Sequence, residues 1–168
     1  RITMFCEEPV LPYQRPPLSK KYAIGEMTAE QLLLRPDDWY ETNNVDCRVG
    51  FEVISIDPVG KSVTLDDSTD VAWDKLFFAT GSRARALPQT IGGNLDGVYL
   101  LRSLSDADAF ARQLVEGKKV VIIGGGYIGL EAAAVCRSSG LEVTLIEAAD
   151  RILQRVASEE TSNWFRAF

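Results

Sequence analysis

KKVVIIGGGYIGLEAAAVCRSSGLEVTLIEAAD, residues Lys118–Asp150, is the stretch whose reading decides the fold. It opens on a pure apolar run, Val120–Ile123, short and β-branched enough for a buried parallel strand. Gly124, Gly126 and Gly129 follow in G-x-G-x-x-G spacing. From Tyr127 the pattern turns helical through Ala132, Ala133 and Ala134, and Gly140 supplies the stop. A second β-branched strand, Val143–Ile146, ends on an acid, Glu147. A glycine triplet alone would read as an ordinary loop. Strand, glycine turn, helix, strand and terminal acid in sequence make a dinucleotide-binding βαβ unit. Gly124 permits the tight turn, Gly126 presents no Cβ to a pyrophosphate, and Gly129 lets the helix pack close to the sheet. The helix N-terminus offers unpaired N–H groups to phosphates. Glu147, 18 positions after Gly129, is placed to accept from both hydroxyls of an adenosine ribose.

Composition bounds the rest. With 168 residues, 46% hydrophobic and 25% charged, the chain reads as globular matter for one domain or parts of two. A net charge of −6 and the lack of a basic run argue against nucleic acid. The hydrophobic run is interrupted by glycines and Glu131, so no membrane span is expected. Cys6, Cys47 and Cys136 are widely spaced and form no C-x-x-C pair, so neither a metal site nor a dithiol centre is legible. They fit a reducing, cytoplasmic compartment. Histidine is absent, which removes the commonest general base. The chain starts at Arg1 without a methionine and is expected to be internal to a longer protein.

Taken in order, Ile2–Cys6 alternates into a short strand ending at Glu7 and Glu8, the arrangement also seen at Ile146–Glu147. LPYQRPPLSK at 11–20 is a proline-set loop that presents Lys20 from a stiff backbone. Thr28 and Gln31 have the form of a capping box ahead of a helix to about Leu34. Pro36 starts another at its first position, with Asp37 and Asp38 in its first turn and Asn43–Asn44 at its end. Val45–Val49, Phe51–Ile56, Lys61–Leu65 and a segment beginning at Val71 read as strands. Lys75–Ala79 reads as an apolar strand ending in Thr80-Gly81-Ser82, and Val98–Leu101 as a further one closed by Arg102. Ser105 is expected to cap a helix to about Val115, and the tail to Phe168 is ill-defined and helical.

Together these motifs resemble the oxygenase-coupled NADH-dependent ferredoxin reductases, FAD-dependent pyridine nucleotide oxidoreductases of the putidaredoxin and rubredoxin reductase kind. LPYQRPPLSK is the most specific mark, and FATGSRARALP (78–88), YLLRSLSDA (99–107) and VVIIGGGYIGLEAAA (120–134) follow in the family's order. The resemblance implies an α/β, Rossmann-like three-layer fold with an NAD domain inserted in an FAD domain, both incomplete here. Residues 1–103 would be a partial FAD-binding domain without its first βα unit, and 104–168 the first half of the NAD-binding domain.

The resemblance also implies roles. Glu7 would hold the FAD ribose, Val53 would touch the adenine, Thr80 and Gly81 would pass near the flavin pyrophosphate, and Arg102 would reach the cofactor. Lys20 would lie beside the isoalloxazine ring, bind cofactor and act in catalysis with Glu131, its candidate partner. Gly124, Gly126, Gly129 and Glu147 would bind NADH. The implied activity passes electrons from NADH through FAD to a ferredoxin or rubredoxin-type iron–sulfur protein serving an oxygenase. Alternatives are a flavoprotein of the apoptosis-inducing-factor type that acts through binding, and a flavin disulfide reductase relative. By itself the chain is expected to be inactive, because the only complete glycine turn in it belongs to the NAD half.

Overall fold

The computed structural model describes residues 1–167. Two compact units are present: Arg1–Gln14 with Ala29–Arg83, and Arg15–Thr28 with the chain from Ala84 onward.

In the first unit, β1 (Ile2–Cys6) pairs parallel with β2 (Val45–Val49), Ile2 opposite Val45 and Cys6 opposite Val49. Two short helices join them, α1 (Ala29–Leu32) and α2 (Asp37–Thr42). α1 stops earlier than the sequence predicts because the following residues turn to the 12–14 loop. Leu34 N–H donates to Pro12 O at 2.9 Å, and Gln14 N–H to Leu32 O at 2.9 Å. Pro36 is the N-cap of α2 rather than its first residue. Asn44, at φ 56°, turns the chain into β2, a left-handed conformation that asparagine tolerates better than most side chains. Leu32 and Tyr40 are buried beneath these helices.

An antiparallel sheet completes the unit: β3 (Val53–Asp57), β4 (Ser62–Leu65) and β5 (Asp70–Ala72), with β4 central. Val63 and Leu65 alternate into its core. Asp57 shapes the β3–β4 turn, its Oδ1 accepting from Val59 N–H and Gly60 N–H, each at 2.9 Å. Lys75–Ala79 forms no strand. A strand needs a ladder, and no segment among the described residues offers one here, so Phe77 and Phe78 remain exposed.

In the second unit, α3 (Leu104–Ala111) leads to β6 (Lys119–Ile123), α4 (Tyr127–Ser138) and β7 (Glu142–Ile146), and α5 (Glu159–Arg166) follows. β6 and β7 pair parallel in register, from Lys119 opposite Glu142 to Ile123 opposite Ile146. α4 covers one face of this pair through Ala132, Val135 and Cys136. Val120, Ile122, Val143 and Leu145 face the covered side, whereas Val121, Ile123 and Ile146 are exposed at 59%, 61% and 51%.

Three sequence expectations are corrected here. Ser103, not Ser105, caps α3: its side chain accepts from Asp106 N–H while Asp106 accepts from Ser103 N–H, a reciprocal box that Ser105 lacks. That helix ends near Ala111 because the next turns tighten, with Gln113 N–H to Phe110 O and Leu114 N–H to Ala111 O. Val98–Leu101 forms no strand and leaves Val98 and Leu100 exposed, again without a ladder partner among the described residues. The tail holds α5, capped by Ser158, and Phe168 lies outside the described residues.

Candidate nucleotide and ion-pair site

The glycine turn joins β6 to α4. Gly124 N–H donates to Ile146 O at 2.8 Å, which ties the ends of both strands together. Its φ of +109° lies where side chains are rarely found. Gly126 is the N-cap of α4 and supplies no side-chain cap, and a Cβ built there meets nothing within 4 Å. The first N–H groups of the helix are therefore open to an anion. Gly129 is the opposite case: a Cβ there would stand 1.9 Å from Gly124 O. One glycine clears a path and the other permits a close approach.

Glu147 closes the turn from the far strand. Its Oε2 accepts from Gly125 N–H at 2.6 Å and its Oε1 from Ala149 N–H at 2.8 Å. The Ala149 and then the Gly125 bonds hold its carboxyl below the usual carboxylate range, and Arg155 adds a favourable charge. Each carboxylate oxygen carries a second lone pair, so ribose hydroxyls still have acceptors. The turn is held from its other side too. Leu153 N–H donates to Gly125 O at 2.9 Å, and Ile152 packs so closely that a Cβ on Gly125 would stand 2.7 Å from its Cγ2. Arg151 organises this loop: its guanidinium donates to the carbonyls of Gln154, Ala157 and Ser158 and to Ser162 Oγ. No sequence pattern singled out that network.

A second cluster forms around Glu131 on α4. Pro16–Ser19 is a 3-10 turn started by prolines, and it packs against α4 with Leu18 and Ser19 buried. It delivers Lys20 Nζ to 2.7 Å from Glu131 Oε2, and Lys20 Nζ also donates to Pro16 O at 2.9 Å. Ser19 Oγ donates to the same Glu131 oxygen at 2.5 Å. Burial works against the charged carboxyl, but the Lys20 and Ser19 hydrogen bonds and the Lys20 charge together hold Glu131 below its ordinary value.

The remaining candidates divide between the units. Arg102 is fixed through its main chain, its N–H donating to Asp106 Oδ2 and its carbonyl accepting from Arg15 Nη1, each at 2.9 Å. In the other unit Glu7 follows β1 and meets Arg83 at 3.0 Å, and Arg83 also meets Glu52 at 2.7 Å. All three side chains are largely exposed, so the triad contributes little to stability. Val53 opens β3 and is exposed, as are Thr80 and Gly81, the last at φ 65°. Among the described residues no group of histidine, cysteine or acids has a metal-ligand arrangement, and no helix is long and apolar enough to cross a membrane.

The chain matches the family model for pyridine nucleotide-disulphide oxidoreductases over residues 1–168. A ferredoxin–NAD(P)(+) reductase of a Sphingomonas species is 45% identical over 164 residues, covering 98% of this chain and 39% of that protein. A rubredoxin-NAD(+) reductase of Pseudomonas putida is 42% identical over 166 residues, covering 99% of this chain and 43% of that protein. Among solved structures, the covalent putidaredoxin reductase–putidaredoxin complex superposes with a TM-score of 0.94 at 38% identity, over 99% of this chain and 40% of that one. The chain thus spans about two-fifths of the length of the curated relatives it matches.

Proposed function

This chain belongs to the pyridine nucleotide-disulphide oxidoreductase family, and on that premise we propose that it is part of an NADH-dependent ferredoxin or rubredoxin reductase. The observation that carries the reading is one helix with two jobs. α4 starts at the open glycine turn answered by Glu147, and a turn later anchors Lys20 through Glu131.

Residues 104–168 fall in an NAD-binding domain and residues 1–103 in an FAD-binding domain. Glycines 124, 126 and 129 fit a dinucleotide, since the turn is backbone-only, clear above Gly126 and faced by free helical N–H groups. Glu147 would orient the adenosine ribose of NADH through its unused lone pairs. Glu7 would do the same for FAD, with Val53, Thr80, Gly81 and Arg102 along that cofactor. Arg83 engages one oxygen of the Glu7 carboxylate, Oε1, which leaves acceptor sites for ribose hydroxyls as at Glu147. When bound, FAD supplies the conversion of a two-electron donor into single electrons for an iron–sulfur protein. Lys20 and Glu131 would flank the meeting point of the two cofactors. There the Lys20 ammonium, with one N–H beyond its bonds to Pro16 and Glu131, offers a positive charge.

The partner on this reading is a ferredoxin or rubredoxin-type protein. Two relatives are named for ferredoxin and rubredoxin, and one solved neighbour is captured with putidaredoxin. A cytoplasmic location goes with it, supported by the three free cysteines. A disulfide reductase is disfavoured by its thiols. Cys6 is pushed up to about 11 by burial first, then by the neighbouring Cys47 and the charge of Glu8. Redox-active pairs need the reverse.

The test is made on the whole protein that carries this chain. Lys20→Met should slow flavin reduction by NADH in stopped flow far more than it weakens NADH binding. Equal reduction rates would refute the role of Lys20. Tight NADH binding with negligible ferredoxin-dependent turnover in the unaltered protein would instead favour a binding protein of the apoptosis-inducing-factor type.

A further inference from the structure

Two donors converge on one oxygen of Glu131, and they differ in stiffness. Lys20 reaches Oε2 from a long side chain that is 45% exposed. An ion pair of that kind is screened and costs side-chain entropy to hold. Ser19 reaches the same oxygen from a side chain with a single torsion, at 5% exposure, on a backbone set by Pro16 and Pro17. Lys20 N–H and Tyr22 N–H both bond to Pro17 O, at 2.9 and 3.1 Å, so the turn is closed just beyond Ser19 as well. Ser19 is one of two buried polar residues among those described, and its hydroxyl spends its only proton on Glu131. Among the described residues none donates to Oε1 of Glu131, and the side chain remains 30% exposed.

We infer that Ser19 is a positioning residue for the Lys20–Glu131 pair. Its hydroxyl holds the Glu131 carboxylate in one orientation, with Oε1 toward solvent or ligand, whether or not the Lys20 ammonium is in contact. The inference rests on the proposed role of that pair beside the cofactors. Its physical content is that a carboxylate held by two donors keeps its place when the mobile one leaves. A lysine that must bear on a ligand during turnover can then move without releasing its partner. Ser19 also shares the work of keeping Glu131 charged, since its hydrogen bond, like the Lys20 hydrogen bond and charge, favours the ionised form.

The experiment uses the whole protein with Ser19→Ala, Ser19→Thr and Glu131→Gln. Ser19→Ala should slow flavin reduction by NADH about tenfold, the worth of one hydrogen bond to a charged group, while NADH affinity changes little. The acid limb of the rate profile should move to higher pH, because Glu131 protonates more readily. Infrared difference spectra against Glu131→Gln should show the same upward move of the carboxyl titration, with or without nucleotide. Ser19→Thr keeps the hydroxyl and should restore both. An unchanged acid limb and carboxyl titration in Ser19→Ala would overturn the inference. Equal damage from alanine and threonine would overturn it as well, since packing rather than the hydroxyl would then matter. If Glu131→Gln slows reduction and Ser19→Ala does not, only this inference fails. If Glu131→Gln itself leaves the rate intact, the role of the ion pair fails and this inference with it.

Discussion

Gly126 and Gly129 stand three residues apart in one motif, and the structure separates what each is for. In Gly129→Ala the new methyl would stand 1.9 Å from Gly124 O, a main-chain atom that cannot rotate away. A carbon and a carbonyl oxygen in contact stand about 3.3 Å apart, so turn and helix must part by roughly 1.4 Å. Overpacking of this kind costs about 1–3 kcal/mol. In Gly126→Ala the methyl meets nothing within 4 Å, and φ is −83°, which alanine adopts freely. Alanine caps a helix less well than glycine, so the change should cost up to about 1 kcal/mol. The methyl nonetheless stands where a phosphate must approach the helix N–H groups. Losing one charge-assisted hydrogen bond there weakens NADH binding by about tenfold or more. Urea unfolding and calorimetric NADH titration of the two variants therefore give opposite orders. Gly126→Ala should be the more stable and the poorer binder per unit of stability lost. Unfolding of Gly129→Ala at the parent midpoint, or undiminished NADH affinity in Gly126→Ala, would refute the division of labour.

Coenzyme choice should favour NADH over NADPH in kcat/KM, because Glu147 repels a 2′-phosphate and Arg151 is committed to carbonyls and Ser162. Equal values for the two coenzymes would remove Glu147 from that role. The folded-state carboxyl of Glu131 is depressed below 4.5, so its contribution to stability is present above that pH and is lost as pH falls through the lowered value. Glu131→Gln should flatten the acid limb of the melting-temperature profile in that window, and an unchanged limb would contradict the pairing. Cys6, at about 11, should be thiolate in roughly one molecule in a thousand at pH 8. Peptide mapping after iodoacetamide should find it unmodified at pH 8 and modified above pH 10; ready alkylation at pH 8 would show a lower value.

The βαβ unit was legible because its signals are local. Val120–Ile123, the glycine spacing, the helix to Ser138 and the acid after β7 each read within a few residues, and the observed bounds differ by about one position. Lys75–Ala79 and Val98–Leu101 were misread for a different reason. Both are apolar enough for strands, but a strand is a property of two segments, and composition cannot report whether the second is there. Ser103 was missed because Ser105 lies two residues on with the same chemistry. What decides between them is the acid three places later, Asp106 for Ser103 and Asp108 for Ser105. Asp108 is instead taken by Tyr22 Oη at 2.6 Å. Ser19 and Arg151 were illegible for want of any pattern. Ser19 and Glu131 are 112 positions apart, and Arg151 acts through carbonyls that every residue has.

The three acids nominated from sequence are each held differently, and the difference follows from where the chain places its donors. Glu147 is held by main-chain N–H groups from its own turn, which are fixed once β6, β7 and α4 have formed. Glu131 is held by side chains delivered from a proline-stiffened turn, so its setting depends on that turn docking against α4. Glu7 is held by Arg83, an exposed side chain shared with Glu52. Main-chain bonds act at contact and are little affected by salt, whereas the Arg83 pairs lie in water and are screened within about 8 Å at physiological ionic strength. The three sites therefore differ in how far they are preorganised. Glu147 is set by the fold and Glu131 by a docked loop. The acid assigned to FAD is paired with an exposed, screened cation, so of the three acids Glu147 is the one most completely set by this chain.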